Sequence, residues 1–325
     1  MMKRLFAAVL AVLGNFAFAA PVVAQQYPGR TVTIIVPYAA GGPTDELARL
    51  VANALSTKLK QNFIVQNITG GGANIGTNHV AHAAPDGYTL LLHNLAISAN
   101  VTLYKELPFD TEKDLRPVMF INRNPLVLVG RKTLEPNTLS ELIAWMKTHP
   151  AKAAIAGYGT TGHLTTTLFA QEAKLVLNQI PYRGGAPIIT DLIGGHVDLF
   201  FGTPQQLVQQ VVVGQLKAYG ITTKEKLPQL PAVDSFVQIF GPKFEIQYWQ
   251  ALFAPSGTPD AVINALNSAL GELFYDPAIL KIWAAEGVSA FPKDERSPDA
   301  GRAILSSEIL RWGQVIRDNN IRIEQ

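Results

Sequence analysis

Val36-Pro37-Tyr38-Ala39-Ala40-Gly41-Gly42-Pro43-Thr44-Asp45 is the stretch whose reading settles the architecture. Before it, Thr31 to Val36 is a short β-branched run that reads as a buried strand. After it, Leu47, Leu50, Val51, Ala54, Leu55 and Leu59 recur at helical spacing. The pieces make a strand, a glycine turn and a helix. Gly42 or Thr44 can cap that helix and Pro43 suits its first positions, so unpaired backbone N–H groups and the positive end of the helix dipole face the turn. Such a turn offers a site to an anion.

Outward toward the start, Met1 to Ala24 stands apart from the fold. Lys3 and Arg4 form a basic beginning, Leu5 to Leu13 an apolar core too short to span a bilayer, and Val22-Val23-Ala24 a small-residue cleavage site. This is the pattern of a secretory signal peptide. Ala17-Phe18-Ala19 offers a second cut, but Tyr27-Pro28 opening the first strand favours cleavage after Ala24. With no cysteine in 325 residues there is no lipid attachment point, disulfide or thiolate chemistry, so a soluble protein outside the cytoplasmic membrane is expected. Loss of Lys3 and Arg4 takes the 27 basic residues to 25, against 25 acidic ones. A formally neutral chain has nothing to drive counterion-release binding to nucleic acid or adhesion to an anionic membrane. The charged fraction of 16% is low, and about 300 mature residues suffice for two domains with their own cores.

Downstream, Gln66-Asn67-Ile68-Thr69-Gly70-Gly71-Gly72-Ala73-Asn74-Ile75-Gly76 lies between a strand-like Phe63-Ile64-Val65 and a helix through His82. A nucleotide reading fails on spacing: Gly71 and Gly76 match a Walker loop, but Thr77 stands where the phosphate lysine belongs, and no G-x-G-x-x-G register fits. His79 and His82 share a helix face without a third ligand, which favours a solvated surface over a metal. No cofactor is called for. Pro85-Asp86-Gly87 turns into a strand from Tyr88 to Leu92, after which His93-Asn94-Leu95-Ala96-Ile97-Ser98 is expected to be a strand-end loop, the place where α/β proteins bind ligands.

Pro117 to Gly130 is a long apolar segment interrupted by Asn122-Arg123-Asn124-Pro125, and it reads as a first crossing between lobes. Thr138-Leu139-Ser140-Glu141 is a capping box. The strand Ala153 to Ala156 then enters Gly157-Tyr158-Gly159-Thr160-Thr161-Gly162-His163 and a helix, repeating the opening device in the second half of the chain. Two such turns facing one another would hold a carboxylate from both sides. His163 reads as a capping or packing histidine. Arg183, in Ile180-Pro181-Tyr182-Arg183-Gly184-Gly185-Ala186-Pro187, is the most interesting cation, because guanidinium matches carboxylate bidentately. After the strand Val197 to Phe201 come Gly202-Thr203-Pro204, and Phe244 to Ala254 forms the return crossing. Helices follow from Thr258, from Pro277 and from Pro298 to Asn319. Two crossings and three segments describe an α/β protein of two lobes joined by two strands, with a cleft between them. Residues 25–124 and 248–325 are expected to build one lobe and 125–247 the other.

Over nearly the whole mature chain these residues resemble the Bug family, the extracytoplasmic solute receptors of tripartite tricarboxylate transporters. The features that carry the resemblance are Tyr27-Pro28, Ile35-Val36-Pro37-Tyr38 with Gly41-Gly42 and Asp45, Gly71-Gly72-Ala73-Asn74-Ile75-Gly76 and Ala84-Pro85-Asp86-Gly87-Tyr88. Further along stand Gly159-Thr160 with His163-Leu164, Pro181-Tyr182-Arg183-Gly184, Asp191-Leu192-Ile193-Gly194-Gly195, Leu252-Phe253-Ala254-Pro255 with Gly257-Thr258-Pro259, and Trp312 with Val315-Ile316. Their order and spacing make the match specific.

The resemblance implies a two-lobed type II periplasmic-binding fold, closure on a small carboxylated ligand, and delivery to an integral membrane permease with a large and a small subunit. It also implies a monomer. In the family one ligand carboxylate is held mostly by backbone groups and water, which maps to Tyr38, Ala40, Gly41, Gly42 and Asp45, and to Tyr158, Gly159, Thr160, Thr161 and His163. Asp45 would repel an anion directly, so its expected part is to order the turn, cap the helix or hold water. The distal end of the ligand falls to His93 through Ser98, including Asn94 and Ser98, and to Arg183 and Thr203, with Tyr38, Tyr158 and Phe201 placed to flank a flat ring. Three departures stand out: Ala39-Ala40 replace a proline pair, Ile68-Thr69 replace a basic residue and proline, and Phe201-Gly202-Thr203 lack an aspartate. The last tilts the expectation to a ligand with two carboxylates and no amine; citrate-like and aromatic dicarboxylates such as terephthalate both fit.

Two other classes compete. A secreted hydrolase would want a nucleophile on G-x-S-x-G, which is absent, while Ser256 sits in a turn before a helix cap. A glycosidase needs two carboxylates across its cleft, and the cleft loops are poor in Asp and Glu, so no enzyme is expected. A ligand-sensing partner of a membrane sensor kinase would use the same closed lobe surface.

Overall fold

The computed structural model describes residues 27–322; the secretory segment and its cut after Ala24 lie outside the described residues. Twelve strands build two mixed six-stranded sheets. In chain order they are β1 (Val32–Val36), β2 (Phe63–Asn67), β3 (Thr89–Asn94), β4 (Leu115–Pro125), β5 (Val127–Arg131), β6 (Ala151–Ile155), β7 (Leu177–Pro181), β8 (Leu199–Gly202), β9 (Leu216–Ile221), β10 (Asp234–Ser235), β11 (Gln247–Pro255) and β12 (Ser289–Ala290). The first sheet runs β12-β4-β11-β3-β1-β2 and the second β10-β9-β5-β8-β6-β7.

The sheets share a plan. A parallel trio, β2-β1-β3 in one and β7-β6-β8 in the other, is extended by an antiparallel strand, β11 beside β3 and β5 beside β8. Parallel strands need helical crossovers, and those helices begin at the carboxyl ends of the strands. Val32, Ile34, Ile35 and Val36 are fully buried, which is why β1 reads as a near-continuous apolar run. The Pro43–Leu59 helix that follows lays Leu47, Val51 and Leu55 into the same core, and the Asp260–Phe274 helix packs against it with Ile263, Leu266 and Leu270. The Pro298–Asp318 helix packs on β4 and on the Ala96–Leu103 helix, burying Leu305, Trp312 and Ile316. In the second sheet Phe169, Phe201, Phe236 and Phe244 form an edge-to-face and stacked aromatic set.

Two expectations are corrected here. The polar interruption Asn122-Arg123-Asn124-Pro125 does not break its segment: β4 runs through it, because Asn122 and Asn124 are buried opposite Gln250 and Tyr248 of β11. The passage between sheets is instead a single residue, Leu126, with β4 ending at Pro125 and β5 starting at Val127. Nor is His93–Ser98 a loop. β3 continues to Asn94 and the Ala96–Leu103 helix starts at once, its first N–H donated to Asn94 Oδ1 at 3.0 Å. Ala96 to Asn100 are all buried, so this helix lacks the apolar stripe by which periodicity reveals one.

Candidate functional site

At the carboxyl ends of β1, β6, β7 and β8 four helices begin: Pro43–Leu59, Thr161–Glu172, Gly185–Gly194 and Pro204–Val212. Their N-cap residues, Gly42, Thr160, Gly184 and Thr203, all line one cavity of about 170 Å³ between the two sheets. The first N–H groups of a helix have no partner inside it, so this wall presents backbone donors and four positive dipole ends. Thr44, Thr161, Gly162, Gly185 and Ala186 supply first-turn amides at the lining. Among the described residues no Asp, Glu or Lys lines the cavity, and the one charged side chain that does is Arg183, exposed at the rim.

Beneath the two opening turns lies the same device, built from different chemistry. Asp45, at the third helical position, accepts the N–H of Gly41 at 3.0 Å. His163, at the third position of its own helix, accepts the N–H of Gly159 through Nδ1 at 3.1 Å. Each acceptor thus ties down a glycine four residues earlier whose φ is positive, +78° for Gly41 and +76° for Gly159. Asp45 also takes Asn67 Nδ2 at 2.9 Å and the Arg49 guanidinium through Nε at 2.9 Å and Nη2 at 3.0 Å. Burial alone would raise its pKa, but these donors outweigh it and hold the carboxyl below its usual value. Asp45 therefore orders the turn from below and does not line the cavity. Burial pushes His163 down to about 4, so the imidazole is neutral and serves as an acceptor.

The floor comes from the first sheet. Tyr38 Oη donates to Asn94 Oδ1 at 2.9 Å, and Asn94 Nδ2 donates to Thr44 Oγ1 and Tyr248 Oη, both at 3.2 Å. Thr44 Oγ1 and Tyr248 Oη lie 2.9 Å apart. Asn94 already occupies an acceptor position on each, and only one of the two hydroxyls can donate to the other. One O–H is left free at the cavity wall. Tyr248 is pushed up to about 12, first by burial, and Tyr38 is also raised by burial, so both phenols keep their protons at neutral pH. His93 behind them is fully buried and pushed down to about 4 by that burial.

Of the residues expected at the site, Tyr38, Ala40, Gly41, Gly42, Asn94, Thr160, Thr161, Arg183 and Thr203 line the cavity together, and Phe201 with them. Asp45 and His163 stand under the turns. Ser98 is buried inside its helix and Tyr158 is 41% exposed with its ring edge-on to His163, so neither reaches the lining. Gly159 lies where the halves of the molecule touch: an added Cβ would come within 3.1 Å of Tyr104 Oη and 3.6 Å of Gly72 Cα. Sequence reasoning missed Thr44, Tyr248 and Gln206 in the lining. Thr44 and Gln206 carried a signal, since both lie in the first turn of helices that follow parallel strands; Tyr248 carried none, because it arrives on the return crossing.

Residues 47–321 match the tripartite tricarboxylate transporter family receptor. Protein BugT of Bordetella pertussis is 34% identical over 327 residues, covering 99% of this chain and 99% of that protein. Among solved structures, MatC from Rhodopseudomonas palustris with bound malate is 32% identical with a TM-score of 0.84, covering 89% of this chain and 100% of that one. The R. palustris protein Rpa4515 with adipate is 29% identical with a TM-score of 0.84, covering 91% of this chain and 99% of that one. The two-lobed periplasmic-binding fold expected from the sequence is the fold this chain has in common with them.

Proposed function

Because the chain belongs to the tripartite tricarboxylate transporter receptor family, whose members are periplasmic binding proteins and not enzymes, we propose that it captures a small dicarboxylate in the cavity between its sheets. The bound ligand is then handed to a membrane permease of large and small subunits. The observation that carries this reading is the convergence of four helix N-termini on a cavity whose wall holds no carboxylate. One ligand carboxylate sits between the Tyr38–Thr44 and Thr160–Gly162 turns, where charged hydrogen bonds to preorganised N–H groups contribute about 1.5–3 kcal/mol each. The other faces Arg183, Thr203 and Gln206. An ammonium group on the ligand would find no counter-charge in this wall and would be desolvated without compensation. Malate in MatC and adipate in Rpa4515 are both dicarboxylates, which supports the class.

The receptor works as a periplasmic monomer, exported by Met1–Ala24 and cut after Ala24. The two lobes are those built on the two sheets, divided at Leu126 and Ile246, and they close on the ligand by bending at the two crossings. The test is thermal unfolding of residues 25–325, stripped of ligand by unfolding and refolding, against malate, adipate, citrate, terephthalate and matched monocarboxylates. A ligand at a hundred times its Kd adds about 2.7 kcal/mol, a rise of a few degrees at this size. A rise confined to dicarboxylates supports the reading, and no rise with any member of the panel refutes it.

A further inference from the structure

Thr222 follows β9 and is completely buried. It touches both crossings at once. Toward the first, its Oγ1 accepts the Leu126 N–H at 2.8 Å and its N–H donates to the Leu126 carbonyl at 3.0 Å. Toward the second, its Oγ1–H donates to the Ile246 carbonyl at 2.6 Å and its carbonyl accepts the Ile246 N–H at 2.9 Å. Leu126 is the one residue between β4 and β5, and Ile246 immediately precedes β11. A single residue therefore closes a four-bond clasp, two bonds from its hydroxyl and two from its backbone, across the two strands on which the halves of the molecule are hung. The second crossing is fastened on the first-sheet side too: Trp249 Nε1 donates to Glu308 Oε2 at 3.0 Å, and Arg311 Nη2 donates to the Glu245 carbonyl.

We propose that Thr222 is a positioning residue that makes the two crossings bend as one unit, so that the sheets keep a single relative orientation and the cavity a single shape. The proposal rests on the closure reading above. Two independent strands allow bending and also twisting of one sheet against the other; tying Leu126 and Ile246 to one side chain removes the twist. The clasp lies directly behind the ligand, because Leu126 also lines the cavity. A hydroxyl is required because it must accept and donate together, and threonine supplies one within a buried, β-branched shape. Valine keeps that shape and loses both bonds, whereas serine keeps both bonds.

The experiment uses the absence of native cysteine. Nitroxide labels at Asn53→Cys and Val176→Cys, both exposed and one on each half, report the distance between the halves by pulsed electron resonance without ligand. A single narrow distribution is expected in the parent, at least twice the width in T222V, and the parent's width again in T222S. A T222V distribution as narrow as the parent's overturns the proposal. If T222V fails to fold, amide exchange of the parent decides: the Leu126, Thr222 and Ile246 amides should share one protection factor within about threefold, and a spread beyond tenfold overturns the clasp. Saturating malate or adipate tests closure separately. A parent distance unmoved by a carboxylate that raises the melting temperature refutes closure and leaves the ligand-free comparison standing on its own.

Discussion

Asp45→Asn is the sharpest single perturbation of the site, because it keeps the shape and removes only the charge and one acceptor. Oδ2 serves Gly41 N–H and Arg49 Nε, while Oδ1 serves Asn67 Nδ2 and Arg49 Nη2. Whichever way the new amide points, its NH₂ faces either the Gly41 or the Asn67 donor and leaves it without a partner. Gly41 is exposed and Asn67 half-buried, so the orphaned donor costs toward the low end of the about 1–3 kcal/mol of a buried one. The Arg49 pair adds little, since that guanidinium is 57% exposed and screened by solvent. The expected loss at pH 7 is therefore roughly 1–3 kcal/mol, read from urea unfolding. The sign of the pH dependence follows from the lowered pKa of Asp45. Its stabilisation is complete above the unfolded value of about 3.9 and is lost as pH falls through the lower folded value. The protonated wild type is nearly isosteric with the variant, so the two unfolding curves should converge on acidification. Carboxylate binding should weaken tenfold or more, because the Gly41-Gly42 turn is no longer held. A difference below about 0.5 kcal/mol at pH 7, or one that stays constant down to pH 3, refutes this account of the turn.

Other perturbations separate the parts of the cavity. Arg183→Gln should weaken adipate about tenfold or more, the scale of one charged hydrogen bond, while matched monocarboxylates and the ligand-free melting point hardly change; equal losses for both ligand types would remove Arg183 from the distal end. Gly185→Ala sets a methyl group against the Gln206 amide, a flexible side chain that can swing aside. Stability should stay within about 1 kcal/mol while calorimetric affinity falls severalfold, and unchanged affinity would take Gln206 out of the binding wall. His93 and His163, both pushed down to about 4, bind protons in the unfolded chain before the folded one does. Stability should thus be lost as pH falls from about 6.5 to about 4, by up to roughly 3 kcal/mol for each histidine. His163→Gln should make that slope distinctly shallower, and an unaltered slope would mean that His163 is already protonated in the fold.

How far the sequence carried the structure depended on how local each signal was. The Val36–Asp45 and Gly157–His163 stretches declared themselves because strand period, glycine, cap and helix period follow one another within a few residues, and both contribute residues that line or support the cavity. The Ala96–Leu103 helix escaped because burial of every residue from Ala96 to Asn100 erases amphipathic periodicity. Asn122 and Asn124 looked like a break because a polar residue is legible as interior only when its partner is known, and here the partner is β11, more than a hundred residues away. Tyr248 was hidden for the same reason: its meeting with Thr44 and Asn94 depends on β11 lying between β3 and β4.

An anion held as proposed, by amide dipoles instead of side-chain charges, would have a consequence for the medium in which the protein works. Mobile ions screen exposed charges beyond about 8 Å at physiological ionic strength, but they do not enter a small enclosed space to weaken a hydrogen bond already made. Capture through Gly42, Thr160, Gly184 and Thr203 should therefore hold nearly constant across wide changes in external salt. Only the contribution of Arg183, out at the rim, would fade. Such a receptor keeps its grip in fresh or briny surroundings alike, and what varies with salinity is how fast the ligand is drawn in.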